Sequence, residues 1–161
     1  MSKETHAQAV KKPYGMITAA DIAAVEPLMS KDAIDGSDGD EFVAGTIFLY
    51  KTSEGRLGKC RVDALGEGHS LILNWMTFNS DGSEFTSGNQ LVVQTSFPCD
   101  LDFGAVGPFS KVGQRGDFWY QGVTLSSRKL VPQNAARFLI IRNGNGVPGE
   151  AAKPAADGKV R

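Results

Sequence analysis

Residues 52–65, TSEGRLGKCRVDAL, lie one or two substitutions from a phosphate-binding loop. The choice between loop and hairpin separates a nucleotide-binding α/β protein from an all-β one. The P-loop frame G-x-x-x-x-G-K-[ST] falls here on Ser53, Gly58, Lys59 and Cys60. Ser53 lacks the backbone freedom of the missing first glycine. The Cys60 thiol is a poor ligand for the hard magnesium ion that the usual hydroxyl holds. A P-loop also opens a helix whose N-terminus faces the phosphate. KCRVDAL instead alternates, with Cys60, Val62 and Ala64 opposed to Arg61 and Asp63, which is the period of a strand. Glu54 and Gly55 then turn the chain, glycine being free to take a positive φ. The stretch is expected to be a β-hairpin.

The same period continues on both sides. GTIFLYKT sets Ile47 and Leu49 against Phe48 and Tyr50, and HSLILNWMTF sets Leu71, Leu73 and Trp75 against Ile72, Met76 and Phe78. NQLVVQTSF, DFWYQGVTLSS and RFLIIRN add further runs, punctuated by SEGR, GEG, NSDGSE and TSGN. Short strands at this spacing, with no helical pattern between them, specify an antiparallel sheet protein and not a parallel βαβ one. The expected fold is an antiparallel β-sandwich or jelly roll of about seven to eight strands with one short N-terminal helix. That helix is ITAADIAAVEPLM, with Thr18 and Asp21 in a capping-box variant and Pro27 barring its continuation.

With 161 residues, 41% hydrophobic and 22% charged, the chain suits one domain with a core that needs no staples. Three regions are expected: a flexible acidic arm with the helix (1–42), a β-sandwich domain (43–143) and a disordered polar tail (144–161). The arm carries 4 Lys/Arg against 8 Asp/Glu, the body 10 against 8. A net charge of −1 gives no overall pull toward nucleic acid or an anionic membrane. Lys51, Arg56, Lys59, Arg61, Arg128 and Lys129 are spread over separate strands and balanced by acids. No apolar run is long enough to span a membrane or act as a signal-peptide core, so cytoplasmic synthesis is the expectation. Cys60 and Cys99 fit no zinc spacing and read as reduced core residues.

Few constellations carry chemistry. In CDLDFG, Asp100 and Asp102 are two apart and project to one side of an extended chain. They are candidate metal ligands, or an acid and base, against the simpler reading of solvent-facing charges around buried Leu101 and Phe103. In FWYQG, Trp119, Tyr120 and Gln121 form a candidate ligand platform for a carbohydrate or small molecule. The competing reading puts Trp119 in the core and Phe118 and Tyr120 on a covered outer face. The acidic run DAIDGSDGDEF (Asp35, Asp38, Asp40, Glu41) does not have EF-hand spacing. His6 lies in the arm and His69 follows GEG with no serine elbow to serve.

No catalytic constellation survives, and no cofactor is implied. The leading expectation is a non-catalytic module acting through protein–protein contacts, a structural subunit that binds a protein partner or itself. Strands apolar on both faces support it, since a sandwich strand usually leaves one face to water. A carbohydrate-binding or small-ligand module and a paired-carboxylate enzyme are the alternatives.

Overall fold

The computed structural model describes residues 12–35, 44–66, 70–124 and 127–142. Mostly antiparallel β-structure fills them. Ten strands run in chain order: β1 (Ile34–Asp35), β2 (Ile47–Lys51), β3 (Leu57–Leu65), β4 (Leu71–Phe78), β5 (Glu84–Val93), β6 (Pro98–Asp100), β7 (Ala105–Val106), β8 (Phe118–Thr124), β9 (Ser127–Pro132) and β10 (Arg137–Arg142). Two helices accompany them, α1 (Ala19–Val25) and the single turn α2 (Phe109–Val112). The first sheet has the order β10-β2-β3-β4-β5 and the second β1-β9-β8-β6-β7. Four consecutive strands thus form a meander in one sheet. A jelly roll would alternate them between sheets, so of the two expected architectures the two-sheet sandwich is the description that fits.

The opening stretch is the β2–β3 hairpin. Its turn closes through Thr52 N–H to the Arg56 carbonyl at 2.7 Å and Gly55 N–H to Thr52 at 2.9 Å, with Gly55 at φ +93°. Phe48, Tyr50, Cys60, Leu73 and Trp75 of the first sheet share one buried cluster with Cys99, Leu101, Phe118, Tyr120 and Leu130 of the second. Phe138 joins the layers, its ring centroid 5.7 Å from Tyr50 and 5.8 Å from Phe118.

The other face of the first sheet is also covered, over β2 and the end of β4. Ile47, Leu49 and Phe78 pack there with Tyr14, Ile17, Ile22, Val25 and Met29. Helix α1 opens on the Thr18–Asp21 capping box, and the chain tightens into a 3₁₀ turn at Glu26–Leu28, where Pro27 cannot extend it. Tyr14 anchors this layer: its hydroxyl donates toward the carbonyls of Lys59 and Asn74, and Lys59 Nζ donates to the Tyr14 carbonyl at 2.7 Å. Residues 30–35 then cross between the sheets. Ser30 exchanges two 2.9 Å backbone bonds with Phe138 of β10, and Ile34 and Asp35 pair with Leu130 and Lys129 of β9.

The boundary expected at residue 43 therefore does not mark the start of the packed body. Residues 12–35 supply a core layer and a strap, because β2 and β4 present apolar side chains that this segment covers. Residues 1–11, 36–43 and the tail from 143 lie outside the described residues. Two strand assignments also change. SRKLVP forms β9 despite its two cations, held between β8 and β1. TSGN, read as a turn, lies inside β5, where a side chain on Gly88 would come within 2.5 Å of the Trp75 ring.

Candidate functional site

Strand β6 ends at Asp100, and Leu101–Gly104 turn the chain back into β7. The backbone N–H of Asp102 donates to Asp100 Oδ1 at 2.9 Å, a local turn that folds the two carboxylates toward each other. Asp117, immediately before β8, arrives from the neighbouring strand, since Cys99 pairs with Phe118. One oxygen from each of Asp100, Asp102 and Asp117 lies within 4.8 Å of the others, and all three residues have 0% exposure. Among the described residues this is the one such acidic group.

The sequence left these carboxylates facing solvent around buried Leu101 and Phe103. The structure keeps Leu101 buried and overturns the rest: both aspartates are buried and Phe103 is 56% exposed. Donors replace the water. Asp117 accepts Ser53 N–H at 2.6 Å on Oδ1 and Leu101 N–H at 2.5 Å on Oδ2. Arg115 Nε donates to Asp100 Oδ2 at 2.8 Å, and Arg56 Nη1 to Asp102 Oδ1 at 3.1 Å. Arg56 also reaches Glu54 at 3.3 Å and stacks 3.8 Å above the Phe85 ring, which meets Phe103 edge-on. Asp102 Oδ2 is buried with no hydrogen-bond partner.

Burial pushes the Asp117 carboxyl up to about 7; its two backbone bonds oppose this, and the charges of Asp102 and Asp100 add to it. Asp102 is raised too, by burial first, against the opposing effect of the Arg56 guanidinium and the nearby Thr52 hydroxyl. Asp117 was not among the sequence candidates. Its only local signal is a charge abutting three aromatics in GDFWY; its convergence with Asp100 and Asp102 is a property of strand pairing.

The aromatic candidates separate. Phe118 and Tyr120 point into the core at 0% exposure, and Trp119 and Gln121 are half-buried on the outer face, the reverse of the competing sequence reading. Tyr120 packs beside Leu130 in the inter-sheet cluster, so it cannot belong to a surface platform. Trp119 does face outward, but Phe109 of α2 stands edge-on against it at 5.5 Å, and its Nε1 is buried without a partner. Cys60 and Cys99 are free and buried, and burial raises both thiols well away from a reactive thiolate. His6 and His69 lie outside the described residues, as do Asp38, Asp40 and Glu41. Of the scattered cations, Lys51, Arg56 and Arg61 are paired with Glu26, Glu54 and Asp102, and Asp63. A groove of about 650 Å³ runs between α1 and the turns at 54–57 and 78–82, floored by Ala19, Ala23, Leu57 and Phe78. No helix among the described residues is long and apolar enough to cross a membrane.

The chain matches no protein-family model, no curated protein and no solved structure.

Proposed function

We propose that the protein is a non-catalytic β module that works through protein contacts made by the outer face of its second sheet. The observation that carries this reading is an asymmetry between the two outer faces. At the centre of the first sheet's outer face the apolar side chains of β2 and the end of β4 are covered by α1 and Tyr14, and the exposed Val92 lies at the edge, on β5. On the second sheet, Trp119 and its cross-strand partner Val131 stay half-buried, and Phe109, which stands edge-on against Trp119, is itself 46% exposed. Gln121 and Lys129, the next pair on that face of the ladder, give that apolar centre a polar margin. Aromatic rings at the centre and polar groups at the rim are the usual composition of a contact surface.

The chemistry elsewhere supports a binding role over a catalytic one. Both thiols are sealed in the core, and two of the three clustered carboxylates are paired with Arg56 and Arg115. A second copy of the chain is the first partner to test, because a two-fold contact needs only one such patch. Light scattering after gel filtration should give a mass well above 17.2 kDa for the native chain, and the excess should fall in Phe109→Asp. A monomer at every concentration overturns self-association, and an oligomer untouched by Phe109→Asp overturns this face.

A further inference from the structure

We propose that Asp100, Asp102 and Asp117 form a site for a hard divalent cation of the calcium class. Three observations, independent of the contact surface, point to it. The first is convergence: the end of β6, the turn after it and the residue before β8 bring three carboxylate oxygens within 4.8 Å of one another. Two oxygens bound to one calcium, each at about 2.3–2.6 Å, can be no farther apart than about 5 Å. The second is an orphaned atom. Asp102 is wholly buried, and its Oδ2 has no donor while every other oxygen of the three side chains has one. A buried carboxylate oxygen without a partner is costly, and a cation is the ligand that relieves it.

The third is charge. Glu54 shares Arg56 with Asp102, so four carboxylates meet two guanidinium groups. With all four ionised, the remainder is two negative charges, which one divalent cation neutralises. The donor set contains only oxygen, with no imidazole or thiolate, and so selects calcium, magnesium or manganese over zinc or copper. The cysteine nearest in sequence, Cys99, lies in the apolar core. Arg115 is half exposed, which leaves a way in beside Asp100 once its side chain swings aside.

The same imbalance can be met by protons, and the test separates the two. Isothermal titration of the full chain with calcium chloride is expected to give one site per chain, and thermal unfolding a higher Tm in calcium than in EDTA. Asp102→Asn should weaken binding at least about tenfold, since loss of even an outer-shell partner of a ligand typically costs about 10–100-fold. If calcium, magnesium and manganese all leave the heat signal and the Tm unchanged, the cluster is balanced by protons and the proposal fails. It fails equally if Asp102→Asn binds as tightly as the native chain, which would place the ion elsewhere, for example on the run containing Asp38, Asp40 and Glu41. Should Asp102→Asn not fold, the triple change D38N/D40N/E41Q serves instead. It must leave the affinity unchanged, and loss of binding there overturns the proposal.

Discussion

Asp117 holds the backbone amide of Leu101 at 2.5 Å with Oδ2 while its Oδ1 holds the amide of Ser53 at 2.6 Å. A single carboxylate thereby joins the β2–β3 turn of one sheet to the β6–β7 turn of the other. Both amides are donors that the turns themselves leave unsatisfied. Asp117→Ala strands them in a buried setting, where each unsatisfied group costs about 1–3 kcal/mol. The expected loss is about 3 kcal/mol or more. Asp117→Asn, which keeps one acceptor and turns an amide NH₂ toward the other N–H, should fall between. Urea unfolding of both variants checks the order, and an alanine variant as stable as the native chain would remove Asp117 from the role given to it.

The same carboxylate sets a pH dependence. Its folded value near 7 lies above the ordinary value of 3.8, so between the two the native state binds the extra proton. Stability from this group is then greatest in acid and declines as pH rises toward 7, with a slope of up to about 1.4 kcal/mol per unit for one proton. Asp102 is raised as well and acts in the same direction. In EDTA, Asp102→Asn removes one raised carboxyl and lowers its neighbour's, so the decline between about pH 5 and pH 7 should be shallower than in the native chain. Parallel stability profiles for the two proteins would contradict the linkage.

Gly104 takes φ +66°, and a Cβ there would lie 2.5 Å from the Trp75 indole. Both the backbone and the space demand glycine, in the turn that carries Asp102. Gly104→Ala is expected to destabilise by about 2 kcal/mol or more through strain and overpacking together. Because Trp75 Nε1 lies within reach of Thr86 at 3.4 Å, displacement of the ring should also shift the tryptophan emission. A variant with native emission and native Tm would show that the turn accepts a side chain.

Helix α1 is a core layer, and its variants should behave accordingly. Ile22 is fully buried against the outer face of the first sheet. Ile22→Ala is expected to cost about 3 kcal/mol, and Thr18→Ala, which opens the capping box, about 1 kcal/mol. Removing residues up to 28 would uncover Ile47, Leu49 and Phe78, so the shortened chain should aggregate. A soluble, cooperatively unfolding remainder would mean the helix is dispensable.

Much of this architecture was legible because it rests on local pattern. The alternation of Phe48 and Tyr50 against Ile47 and Leu49 assigned β2 to two apolar faces, and the Thr18–Asp21 pair marked the helix start. What escaped depends on pairing across the chain. SRKLVP has the charges of a loop, and only its neighbours β8 and β1 make it a strand. Asp100 and Asp102 were visible as a pair, but their burial was not, since Arg56, Arg115 and Asp117 come from other parts of the sequence. The register of β8 was ambiguous for a simpler reason: three successive aromatics give strand alternation no sign of which parity faces inward.

That ambiguity yields the sharpest test of the second sheet. Phe118 and Tyr120 face inward, where Phe138 and Leu130 receive them, and Trp119 faces out beside Val131 under Phe109. Tyr120→Ala should therefore open a cavity in the inter-sheet core and cost about 4 kcal/mol, enough to leave a marginal domain unfolded. Trp119→Ala removes a ring that is only half-buried and whose Nε1 has no partner to lose, so about 2 kcal/mol is expected, with the fold intact. Far-ultraviolet circular dichroism with urea unfolding compares the two directly. Equal losses, or a Trp119 variant that unfolds while Tyr120→Ala does not, would reverse the face of β8 and take the contact surface with it.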